Sequence, residues 1–180
     1  MTRDAGLLPL LARLLEYPGP GYLDVVVRCH GAAELGDPDS ARRLESFAAA
    51  VEGKSIEALQ ELFTRTFDLD PKCTLDLGWH LFGENYERGD FLVRMREELS
   101  RHGVDEGQEL PDHLPHVLDL LARVEPDRAA ELSTRSVIPA VEKIRKGLEG
   151  QDNPFEHVLV AVCGAVSALA SAPAGGPHRG

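Results

Sequence analysis

The sequence predicts an all-α fold: one helical domain of eight or nine helices over residues 1–170, then a flexible tail over 171–180. Three observations lead there. Apolar residues recur at helical spacing along most of the chain. Prolines, glycines and capping residues interrupt that pattern repeatedly. Only Tyr22–Cys29 (YLDVVVRC) has strand-like composition, and a lone β-branched run without a partner strand reads as a short helix.

Leu7, Leu8, Leu11, Leu14 and Leu15 share one face of the first helix, which Tyr17-Pro-Gly-Pro-Gly21 stops. Asp37-Pro38 opens another, with Leu44, Phe47, Ala48 and Val51 inward. Ser55 caps a helix that carries Ile56, Leu59, Leu62 and Phe63 and runs to about Phe67. A break follows at Asp70-Pro71, then a short apolar helix over Thr74–Phe82. Asp90 begins the next, with Phe91, Leu92, Met95 and Leu99 inward and Gly103 just past its end. Pro111 and Pro115 make Glu109–Pro115 a rigid loop, and Pro115 fits the first turn of a helix over His116–Arg123. After Glu125-Pro-Asp127 the pattern carries Pro139, so that helix is expected to kink or split near Val137. Asn153 as N-cap, Pro154 and Glu156 start the last helix, whose apolar face includes Phe155, Val158, Leu159, Val162, Val166 and Leu169.

A chain of 180 residues with 43 % hydrophobic and 27 % charged residues is globular and buries a core without staples. Its net charge of −11 argues against nucleic acid and favours cationic partners. Cys29, Cys73 and Cys163 form no CxxC pair and read as reduced thiols of a cytoplasmic protein. The N-terminal apolar run contains Arg13 and Asp4 and lacks a cleavage signature, so it reads as a helix rather than a signal peptide. Pro154–Ala170 is too short, and too interrupted by Glu156 and His157, for a membrane span.

No dinucleotide, P-loop or nucleophile-elbow motif is present, so no catalytic residue is assigned. His113 and His116, with Asp119, have a spacing that a metal could use, but Pro115 stands between the histidines and no further ligand is signalled. No metal or other cofactor is expected. His80 and His157 read as core histidines. Trp79, the only tryptophan, is either a packed aromatic or an anchor beside a groove. The acidic residues around Arg88 are either a solvated loop or a selector of cationic peptide ends.

Three blocks stand in order along the chain, Phe63–Pro71 (FTRTFDLDP), Leu81–Asp90 (LFGENYERGD) and Glu109–Ala122 (ELPDHLPHVLDLLA), preceded by Leu14-Leu-Glu-Tyr-Pro18. Taken together they resemble the NarJ family, within the NarJ/TorD/DmsD chaperones of molybdenum enzymes. The resemblance covers roughly residues 7–123. Where the family shows a Ser-Leu-Tyr-Leu type of run, this chain has Cys73-Thr-Leu-Asp-Leu-Gly-Trp79, which suggests a changed pocket and a different client. The resemblance implies a TorD/NarJ-like helical fold and a non-enzymatic assembly chaperone. Such a protein binds the apo catalytic subunit of a molybdenum oxidoreductase, often by its N-terminal segment, until the molybdenum cofactor is inserted. The alternative is a permanent structural or regulatory subunit of an oxidoreductase. Asp68, Trp79, Arg88, Asp112 and Leu114 are the expected peptide-binding residues, with Asp112 also capping the following helix. Phe67, Pro71, Gly83, Gly89, Glu109, Pro111 and Pro115 are the expected structural framework. Loop rigidity alone is the competing account of the Glu109–Pro115 block.

Overall fold

The computed structural model describes residues 6–172. Ten α-helices follow one another: α1 (Leu7–Leu14), α2 (Tyr22–Glu34), α3 (Pro38–Val51), α4 (Ile56–Phe63), α5 (Leu77–Phe82), α6 (Glu87–Arg101), α7 (Leu114–Leu121), α8 (Pro126–Leu132), α9 (Ile138–Leu148) and α10 (Phe155–Ser171). A π turn over Ser133–Val137 joins α8 to α9, so the described residues form nine helical rods, as the sequence predicts. The split falls where Pro139 demands it. Pro139 has no N–H to give back one turn, and the wider π turn relieves its ring of the carbonyl it would otherwise strike. A second π turn, Thr64–Asp68, continues α4 through the expected end near Phe67.

The strand-like run is helical, and α2 extends beyond Cys29 to Glu34. Asp37 caps α3 by accepting from the Ser40 N–H at 3.1 Å, and Ser55 caps α4 by accepting from the Ala58 N–H at 3.2 Å. Asn153 Oδ1 accepts from the Phe155 N–H at 3.0 Å, so the expected cap forms although α10 begins one residue later than Pro154. α6 starts at Glu87, ahead of Asp90, which sits in its first turn.

α10 is the centre of the packing, against α3, α9, α8 and α1, while α1 also lies on α2 and α7. α7 is buried from Leu114 to Leu121 except at His116. One core runs through these helices, with Phe47, Phe63 and Phe67 gathered around Phe155. Cys29 and Cys73 are buried free thiols, and Cys163 is free and half-buried. No helix among the described residues is long and apolar enough to cross a membrane. Of the expected tail, Ser171 lies in the last turn of α10 and Ala172 is its C-cap, while residues 173–180 lie outside the described residues.

Candidate functional site

Thr74–Asp76 is extended rather than helical, which shortens the expected Thr74–Phe82 helix to α5. The reason is a backbone pairing with the loop before α7. The Leu114 N–H donates to the Leu75 carbonyl at 2.9 Å, the Leu77 N–H donates to the Asp112 carbonyl at 3.1 Å, and Asp76 and His113 form an antiparallel bridge. Residues of the blocks around Asp68 and Glu109 line one cleft, together with Asp76 and His113 of this pairing.

The cleft has a volume of about 580 Å³. Trp79 and Arg88 form one side, the Arg88 guanidinium lying 5.7 Å from the Trp79 ring centroid. Asp68, Asp70 and Pro71 form another, and Asp76, Glu109 and His113 close a third. Tyr17, 57 % exposed, stands edge-on to Phe63 with ring centroids 5.8 Å apart, and Phe67 lies beside it. The lining thus holds four carboxylates against Arg88 and His113, with an aromatic wall. His113 Nδ1 lies 3.2 Å from Asp76 Oδ1. Burial alone would raise Asp76, but the His113 hydrogen bond and charge, with Arg88 nearby, hold its carboxyl below the usual range.

Of the expected peptide-binding residues, the fold brings Asp68, Trp79 and Arg88 to this cleft, with Phe67, Pro71 and Glu109 from the expected framework. Asp112 and Leu114 are both 0 % exposed and are not on its surface. For Leu114 this corrects the groove expectation: its side chain is core. Asp112 does not cap α7, because its Oδ2 accepts instead from the Gly78 N–H at 2.6 Å, across 34 residues of sequence. Among the described residues its Oδ1 has no partner, nor has the buried Nε of Arg88. Pro111 and Pro115 are buried, and Pro115 starts α7. Gly83 ends α5 at φ +60°, a left-handed conformation that favours glycine, whereas Gly89 sits in the first turn of α6 with open space where a Cβ would stand. Sequence reasoning missed Tyr17, Asp70 and Asp76 as lining. Tyr17 was visible as a helix terminator and in the family-like Leu14–Pro18 run, Asp70 as a helix break, and Asp76 lies in the stretch that departs from the family pattern.

His113 and His116 lie edge to face, ring centroids 5.5 Å apart, while Asp119 turns to Arg13, whose guanidinium donates to it at 2.9 Å. The three do not converge, and no group of three or more metal-ligating side chains gathers among the described residues.

Burial raises the Asp112 carboxyl, and the nearby Asp76 adds to this, while the Gly78 N–H and Arg88 oppose it. Folding therefore favours its protonated form. Its contribution to stability is full below the unfolded value of about 3.9 and declines as pH rises through the raised folded value. Asp76, held low, does the opposite below about 3.9. Asp112→Asn is accordingly expected to gain stability relative to the wild type as pH rises from about 4 to 7. Urea titrations at several pH values measure the difference, and a difference constant with pH would contradict the assignment.

A family profile described as nitrate reductase delta subunit matches residues 34–161. It includes the helices after residue 123, beyond the blocks that carry the resemblance. The chain is 25 % identical over 152 residues to the nitrate reductase molybdenum cofactor assembly chaperone NarJ of Escherichia coli strain K12, covering 82 % of this chain and 64 % of that protein. It is 29 % identical over 132 residues to the probable NarJ chaperone of Bacillus subtilis strain 168, covering 71 % of each. It is 26 % identical over 159 residues to the nitrate reductase-like protein NarX of Mycobacterium tuberculosis, covering 83 % of this chain and 22 % of that one. The chain spans less than two thirds of the Escherichia coli relative's length. With the profile covering most of an all-helical chain, this protein belongs to the nitrate reductase delta subunit family.

Proposed function

We propose that this protein is an assembly chaperone, without catalytic activity of its own, for the catalytic subunit of a molybdenum oxidoreductase such as nitrate reductase or a relative. It binds the apo subunit by its N-terminal segment in the cytoplasm, keeps it competent for molybdenum-cofactor insertion, and then leaves. The names of its relatives support this reading, and the convergence of Asp68, Trp79 and Arg88 on one acid-rimmed aromatic cleft carries it. An amphipathic segment can lay apolar side chains against Tyr17 and Trp79 while its cations meet Asp68 and Asp70. Charge would guide the encounter and apolar burial would hold the complex.

The test is titration of the protein with a peptide copy of the client's N-terminal segment. Trp79→Ala and the pair Asp68→Lys with Asp70→Lys are each expected to weaken binding at least about tenfold, or about 1.4 kcal/mol, with helix content unchanged. The association rate should fall as salt rises from about 0.05 to 0.5 M, with less change in dissociation. Wild-type affinity in both variants would remove the cleft from recognition. The match within the longer NarX favours a second reading, a permanently attached subunit. Co-purification with the mature, cofactor-loaded enzyme at a fixed ratio would support it over a chaperone that departs.

A further inference from the structure

α5 has a second lined face. Trp79 faces the acidic cleft, whereas Leu81 and Phe82 line a groove of about 680 Å³ bounded by α6, α8 and the π turn that follows α8. The floor of the groove is apolar. Phe82 and Phe91 lie with ring centroids 5.4 Å apart, beside the largely buried Met95 and Leu132. Its rim is basic, with Arg94, Arg128 and Arg135 against one lining carboxylate, Glu131. On a chain of net charge −11, that local excess of cations runs against the average.

The three arginines are not equally committed. Arg128 is held by Glu98 at 2.9 Å and Glu131 at 2.8 Å. Arg135 meets Glu131 only at 3.8 Å, and its side chain is 78 % exposed. Arg94 is exposed and makes no hydrogen bond or ion pair among the described residues. The π turn Ser133–Val137 sets both Arg135 and Ser136 on the groove, where a regular helical turn would have spaced them differently.

We propose that this groove docks an acidic amphipathic helix of a partner protein, its apolar face on Leu81 and Phe82 and its carboxylates toward Arg94 and Arg135. The apolar floor holds such a helix, and the two weakly engaged guanidinium groups choose its charge and register. A second copy of this chain is the poorer occupant, since two bodies of charge −11 repel. The two faces of α5 thereby sort segments by sign, cationic on the Trp79 side and anionic on the Phe82 side.

The test uses the intact protein and two synthetic helical peptides of about 15 residues. They share apolar residues at positions i, i+3, i+4 and i+7, and carry either Glu or Lys at the flanking positions. The Glu peptide is expected to bind saturably and to weaken at least about tenfold in the double variant Arg94→Glu with Arg135→Glu, while Trp79→Ala leaves it unchanged. Both arginines are exposed, so the double variant should keep its helix content. Three results would overturn the proposal: equal affinity for the two peptides, insensitivity of the Glu peptide to the arginine pair, or equal loss on Trp79→Ala. Sedimentation velocity adds a fourth, since self-association abolished by the arginine pair would assign the groove to a second copy. Each of these outcomes leaves binding of the client's own segment at the acidic cleft a separate measurement.

Discussion

Leu114→Asp is expected to leave no cooperatively folded protein. Leu114 is completely buried at the start of α7, and its N–H donates to the Leu75 carbonyl across the bridge beneath the cleft. Removing a buried leucine side chain costs about 2–5 kcal/mol. An unpaired carboxylate in its place adds several more, or must stay protonated at neutral pH. The total approaches the whole stability of a typical domain, about 5–15 kcal/mol. Leu114→Ala keeps the comparison usable: it should fold, melt earlier, and bind client peptide within about threefold of wild type, because the side chain has no surface to offer. Circular dichroism melts and a peptide titration on the same preparations measure both effects. A Leu114→Asp variant that melts cooperatively near the wild-type temperature would contradict the burial.

That outcome reverses an inference the sequence invites. In Glu109–Pro115, a leucine between two prolines and among polar residues looks like a loop side chain on display. What hides it is the pairing of Thr74–Asp76 with Asp112–Leu114, a contact between segments far apart in sequence that no local pattern announces. The same contact explains why α5 is shorter than its apolar run and why Asp112 turns to Gly78 instead of capping α7. Local signals served well where local chemistry decides. Asp37, Ser55 and Asn153 cap helices as their side chains and spacing require. Pro139 located the break between α8 and α9, although only the structure shows that it takes the form of a π turn.

The candidate site was legible to the same degree. Asp68 and Arg88 stood out within the family-like blocks and Trp79 as the only tryptophan, in the run that departs from the family pattern, and the fold brings all three to one cleft. Tyr17 and Asp76 join them only because α1 ends beside α4 and because the extended segment before α5 turns Asp76 toward His113. Those are consequences of packing, invisible to spacing.

Gly78→Ala is expected to be the most damaging small change at the site. Alanine improves on glycine by about 1 kcal/mol in a helix interior, and Gly78, the second residue of α5, can gain only part of that. Here a Cβ would stand 2.8 Å from Asp112 Oδ2, 3.1 Å from Phe91 Cδ1 and 3.2 Å from Arg88 Cγ. Oδ2 cannot simply swing away, because it is the acceptor for the Gly78 N–H itself. Displacing it would strand that buried donor, which costs about 1–3 kcal/mol, and crowding Phe91 adds about 1–3 kcal/mol more. The helix gain offsets only part, so a net loss of about 2–4 kcal/mol is expected. The strain acts next to Trp79, so α5 should shift, loosen the Arg88 guanidinium from the indole and weaken client-peptide binding even in the folded fraction. Trp79 is the only tryptophan, so its emission reports this site alone. Adding Asp112→Ala opens the space that the new methyl group needs, and the two changes together should be less harmful than their sum, since contacting residues couple. A neutral Gly78→Ala variant with unaltered tryptophan emission would show that the close approach of Asp112 to α5 does not constrain the site.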